Sequence, residues 1–191
     1  MSQRTIGTGV VVAALLVCAA VVLSGLQRAT DIRGLPLSET AIIREQAAAK
    51  HLDPALIAAV IYAESKFEPR PSSAGAQGLM QILPETALYL AHLSGGSRFK
   101  ASDLATPRIN VAYGSYYLRY LLDHYHGNEM LAVAAYNGGL ANVDRWVARA
   151  IEKGGHLTSA EIPFPETREY VQRVLSAQRE YRATYPRELG L

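Results

Sequence analysis

One carboxylate stands where a helix should be apolar. Ile57, Val60 and Ile61 repeat at helical spacing, and Glu64 continues their stripe at i+7, i+4 and i+3. This places a Glu against the core or inside a cleft, where that side chain is seldom unpaired. Removal from water disfavours the ionised form and raises the pKa. Moving a Glu from about 4.3 to about 6–7 takes roughly 3 kcal/mol of differential solvation, and a carboxyl so tuned is a general acid near neutral pH. A Glu at a helix end, paired with Arg or Lys, satisfies the same periodicity, so spacing alone leaves both readings open.

Other reactive groups fit a chemistry less well. His124 and His126, beside Asp123, are spaced i, i+2, so their imidazoles lie on different helix faces, unlike the i, i+4 zinc pattern. They read as surface histidines, and no metal or cofactor is expected. Ser65 lacks the glycines of a nucleophile elbow. The one cysteine, Cys18, excludes an intrachain disulfide and a cysteine-rich metal site. A lipid-modified Cys18 is disfavoured, because Val17 stands where a small residue is expected and the apolar run continues through Leu23. Glu68, Glu85, Asp103, Glu129, Asp144 and Glu169 read as solvated surface or helix-end charges.

Composition narrows the partners. The 191 residues carry a formal charge of +2 with no Lys/Arg run, which argues against a nucleic-acid partner. With 49% hydrophobic residues the chain can build a packed core. Eleven Tyr stand against 3 Phe and 1 Trp; an aromatic face with a polar tip suits carbohydrate as well as helix packing.

Arg4 precedes an unbroken apolar run from Val10 to Leu23, within a weakly polar window from Ile6 to Leu26. The window matches the ~20 residues that span a bilayer as a helix, and the inner run also matches the core of a secretory signal. Residues 1–26 are therefore expected to be a signal anchor or signal peptide. Arg4 on one side and Arg28 on the other leave the charge bias undecided. Either way the remainder is expected to be delivered outside the cytoplasm, tethered to the membrane or free after cleavage.

A polar linker is expected over 27–36, a catalytic domain over 37–186 and a short tail over 187–191. The domain reads as helices joined by short polar loops, without an alternating strand. Ser38 is a candidate N-cap with Leu37 and Ile42 as a staple, giving a helix to about Lys50. Leu52-Asp53-Pro54 starts the next helix, which carries Glu64 to about Lys66. Further helices are expected over 84–92, 110–125, 130–136, 142–151 and 167–185. The fold class is all-α, one domain of about 150 residues.

Several motifs occur in order around these helices. Glu64-Ser65 is followed by Ser73 and Gly78-Leu79-Met80-Gln81. Asn110, Gly114 and Tyr117-Leu118 share one helix, Ala135-Tyr136-Asn137 precedes a Gly pair, and Pro163-Phe164-Pro165-Glu166-Thr167 leads to Tyr170-Val171. From about Leu52 to about Tyr181 the chain resembles the soluble lytic transglycosylase family, the goose-lysozyme-like domain of glycoside hydrolase family 23. Each motif alone is weak, and the ordered set is specific. Leu83 departs from the Met often found there, keeping an apolar wall without the sulfur.

The resemblance implies a compact lysozyme-like helical fold and peptidoglycan glycan strands as substrate. It implies that Glu64 alone serves as acid and then base, cleaving between N-acetylmuramic acid and N-acetylglucosamine. The muramic C6 hydroxyl replaces water, so the second carboxylate of an ordinary glycosidase is not required. It further implies substrate-binding roles for Ser73, Gln81, Tyr136, Asn137, Glu166 and Tyr170. Two alternatives remain: a goose-type hydrolase of the same fold, and a non-catalytic glycan-binding or scaffold domain of a conjugation or secretion apparatus.

Overall fold

Seven consecutive residues, Ala55 to Ile61, are at most 1% exposed. A helix buried on every side must lie at the centre of its fold, and the rest of the chain wraps this one. The computed structural model describes residues 34–69, 72–96 and 98–191. The expected signal anchor, 1–26, and most of the expected linker lie outside the described residues. Among the described residues no helix is long and apolar enough to cross a membrane.

The central helix is α2 (Pro54–Ser65), preceded by α1 (Thr40–Lys50). Then come α3 (Pro84–Ser94), a 3-10 turn (Ala101–Ala105), α4 (Pro107–His124), α5 (Glu129–Gly138) and α6 (Leu140–Glu152). A second 3-10 turn (Ser159–Glu161), the long α7 (Pro165–Thr184) and the short α8 (Pro186–Leu189) complete the described chain. No strand occurs among the described residues; one isolated bridge joins Gln77 and Ile82. The all-α expectation matches this architecture.

Local chemistry sets the helix starts. Asp53 caps α2 by accepting from the Ala55 N–H at 2.9 Å, with Pro54 in the first turn, where its missing N–H costs nothing. Asn128 caps α5 through the Leu131 N–H. Proline also opens α3, α4, α7 and α8.

The departures from expectation lie at boundaries. Ser38 caps nothing, and α1 begins at Thr40 after Glu39 turns left-handed at φ 55°. Pro107 starts α4 three residues before the expected Asn110. The helix carrying Ala135-Tyr136-Asn137 runs on through Gly138, and Gly139 alone separates it from α6. The expected tail packs: Leu189 is 1% exposed, and Arg44 Nη1 donates to the Glu188 carbonyl at 2.5 Å.

Packing then fixes the site. Helix α2 lies chiefly against α7, α7 against α5, and α5 between α4 and α6. Chain entry is tied to α7 as well. Tyr181 donates to the Pro36 carbonyl at 2.6 Å and Tyr185 to the Leu35 carbonyl at 2.9 Å. The end of the expected linker is thus held against the domain by two phenols.

Candidate active site

Glu64 occupies the last turn of α2, one turn past the fully buried Ile61. Here the central helix leaves the core, so its carboxyl is half-buried and borders a groove of about 670 Å³. Ala63, Ser65, Lys66, Glu68, Ser72, Gln81 and Pro36 share that lining. Tyr170, on α7, donates to Glu64 Oε1 at 2.7 Å. The contact between α2 and α7 therefore places the phenol.

Burial raises the Glu64 pKa from its ordinary value to about 7; the Tyr170 hydrogen bond and the nearby Arg173 guanidinium pull the other way without cancelling it. Arg173 sits one turn beyond Tyr170, its Cζ 5.9 Å from that ring centroid. Burial and the neighbouring Glu64 charge push the Tyr136 and Tyr170 phenols well up, so both stay protonated donors.

The motifs act as a clamp around this carboxyl. Ser65 Oγ reaches the Leu79 carbonyl at 2.8 Å and the Ile61 carbonyl at 3.2 Å, tying the end of α2 to the loop at Gly78–Gln81. Asn110 secures the loop's other side: its Oδ1 accepts from the Met80 N–H at 2.8 Å. Its Nδ2 donates to the carbonyls of Gln77 and Leu104. Tyr136 donates to the Met80 carbonyl at 3.0 Å.

Two glycines are needed for this close approach. Gly78 lies at φ +76°, and a Cβ there would stand 2.1 Å from Asn110 Nδ2; one on Gly114 would stand 2.4 Å from Met80 Sδ. After Ser65 the chain turns sharply through Lys66 and Phe67, both left-handed at φ 52° and 63°. Two such non-glycine residues in succession are strained, and they lie directly beside Glu64.

The expected site residues fall into two places. Glu64 and Gln81 border the groove, with Tyr170 and Tyr136 behind the carboxyl; Gln81 Nε2 donates to the Gly78 carbonyl at 2.8 Å. Asn137 and Glu166 line a separate cavity of about 370 Å³ with Gly138, Phe164, Pro165 and Thr167. There Thr167 Oγ1 donates to Asn137 Oδ1 at 2.8 Å. Glu166 lies one helical turn before Tyr170, so α7 presents both places on one face.

Ser73 is exposed and does not border the groove; Ser72 does, its hydroxyl accepting the Ala76 N–H at 2.9 Å. Sequence reasoning missed Ser72, Lys66, Pro36 and Arg173. Only Arg173 had a visible signal, at i+3 from Tyr170. Glu68, expected as a surface charge, is exposed and also lines the groove.

Comparison with known proteins bears on the family and the fold. The Transglycosylase SLT domain family matches residues 41–158. The soluble lytic murein transglycosylase of Escherichia coli (strain K12) is 31% identical over 150 residues, covering 77% of this chain and 23% of that protein. A putative soluble lytic murein transglycosylase of Haemophilus influenzae is 40% identical over 123 residues, 62% of this chain and 20% of that protein. The structure of an inactive mutant of lytic transglycosylase Slt from Pseudomonas aeruginosa superposes with a TM-score of 0.71 at 34% identity. It covers 80% of this chain and 25% of that one. The chain thus spans about a quarter or less of the length of these relatives, and the lysozyme-like helical fold is common to them. On the matched helices and the motifs they carry, the chain belongs to the transglycosylase SLT domain family.

Proposed function

We propose that this chain is a peptidoglycan lytic transglycosylase. It would cleave the β-1,4 bond between N-acetylmuramic acid and N-acetylglucosamine without water and leave 1,6-anhydromuramic ends. One observation carries the reading: a half-buried carboxyl on the border of a groove, with a pKa near 7 and one oxygen held by a tyrosine. At neutral pH a large share of Glu64 is protonated, as an acid catalyst requires.

Glu64 gives its proton to the glycosidic oxygen as the C1–O bond breaks. The substrate's acetamido group shields the oxocarbenium centre. Glu64, now carboxylate, takes the proton of the muramic C6 hydroxyl while that oxygen closes on C1. The proton count balances, and Glu64 ends as it began. Tyr170 holds the carboxyl rotamer through both steps. Gln81, beside Glu64, offers amide donors and an acceptor to sugar hydroxyls or the acetamido group. Asn137 and Glu166 contact substrate from the second cavity, and Tyr136 holds the loop under the sugar.

Residues 1–26 deliver the domain to the periplasm as an anchor or a cleaved signal, where wall strands are its partner. A dedicated role beside secretion or conjugation machinery is the narrower form of this reading. Digestion of purified peptidoglycan by the full chain, followed by mass spectrometry of the muropeptides, tests the reaction. Anhydro products from the native chain and none from Glu64→Gln are expected; unchanged cleavage by Glu64→Gln refutes the assignment.

A second reading has one observation in its favour. Glu68 borders the same groove as Glu64, and a second carboxylate is what a water-using glycosidase needs. Free reducing ends in the same digest, lost in Glu68→Gln, would establish that hydrolase in place of the transglycosylase.

A further inference from the structure

A ladder of tyrosine rings leads outward from the residue behind Glu64, and the chemistry above does not use it. Tyr136 on α5 meets Tyr117 on α4 with ring centroids 5.3 Å apart. Tyr117 stacks on Tyr120, centroids 6.4 Å apart and planes within 16°. The phenol of Tyr120 neighbours that of Tyr89 on α3, which pushes its pKa up. Exposure rises along the series: Tyr117 and Tyr120 are half-buried, and Tyr89 is 51% exposed. Three helices therefore contribute to one aromatic path that starts at the carboxyl and ends in solvent.

A carboxylate stands at its outer edge. Asp144, on α6, lies near Tyr120. Its Oδ1 accepts from the Tyr125 hydroxyl at 2.9 Å and lies 2.9 Å from His124 Nε2. Aromatic faces beside phenols and an oriented carboxylate form an amphipathic surface. Sugar rings present C–H faces to aromatic planes and hydroxyls to polar rims. Core packing alone does not account for Tyr89, whose ring stays half in solvent beside the equally exposed Leu88.

We propose that Tyr117, Tyr120 and Tyr89, with Asp144 at their edge, form an outer glycan-binding rail. It carries the strand beyond the bond that Glu64 attacks and sets a preference for long chains. The inference rests on the transglycosylase reading and adds to it the residues that read strand length.

The test compares kcat/KM on long glycan strands with kcat/KM on a tetrasaccharide fragment, using the full chain. In the double variant Tyr89→Ala, Tyr120→Ala the long-to-short ratio is expected to fall about fivefold or more, the scale of losing aromatic contacts. The Phe pair, which keeps both ring faces, should retain most of the ratio. Ile151→Ala, at an exposed position on α6, should leave it unchanged. An unchanged ratio in a folded Ala pair, checked by circular dichroism, overturns the rail.

If the native chain cleaves nothing, the transglycosylase reading fails, and the rail is judged by binding alone. Co-sedimentation of Glu64→Gln chain with insoluble peptidoglycan should then weaken about fivefold when the Ala pair is added. Equal binding overturns the rail by this route too.

Discussion

Replacing Glu64 by Gln should make the protein more stable at neutral pH while removing its chemistry. The Glu64 pKa is raised from 4.5 to about 7 by burial. Between those two values the folded state binds more protons at this site than the unfolded state. Stability contributed through this group is therefore complete below pH 4.5 and declines as pH climbs toward 7. At about 1.4 kcal/mol per pKa unit the full cost is about 3.5 kcal/mol, and the groove's solvent makes that an upper figure. Gln keeps the shape and can still accept from Tyr170, yet has no charge to desolvate.

Urea unfolding of the native chain and Glu64→Gln at matched pH values isolates the effect, since every other titrating group cancels in the difference. The advantage of Gln should be small at pH 4, grow through pH 5–7 and level off above pH 8. Parallel stability curves across that range would refute the claim that Glu64 is strained by desolvation. A native chain gaining over Gln as pH rises would reverse its sign.

Three further substitutions test the same site. Tyr170→Phe and Arg173→Gln each remove a group that lowers the Glu64 pKa. The alkaline fall of kcat/KM, expected near pH 7 in the native chain, should move to higher pH in both, as a pH–rate profile would reveal. Gly114→Ala forces a Cβ to within 2.4 Å of Met80 Sδ. It should cost about 1–3 kcal/mol by denaturant midpoint and lower activity by displacing the loop that carries Gln81.

The sequence by itself determined the helices and the oddity of Glu64. Hydrophobic period, Asp53-Pro54 and the proline starts are local signals, and local signals survive without a fold. They placed Glu64 on an apolar face and could not say whether an Arg waited there. Motif order then supplied the family, because Glu64-Ser65, Gly78–Gln81, Asn110 and Tyr136 are spaced to meet.

What they do on meeting was legible only in three dimensions. Ser65 and Asn110 hold the loop from both sides, a role set by contacts across 14 and 30 residues. Tyr170 reaches Glu64 across 106 residues, and no window along the chain contains that bond. Ser72 borders the groove in place of Ser73, and the 187–191 segment packs against α1, because loop geometry and end docking depend on neighbours distant in sequence. The raised pKa of Glu64 belongs to this second class. Periodicity gives a residue its face, but how much water remains there is decided by what the rest of the chain packs against it.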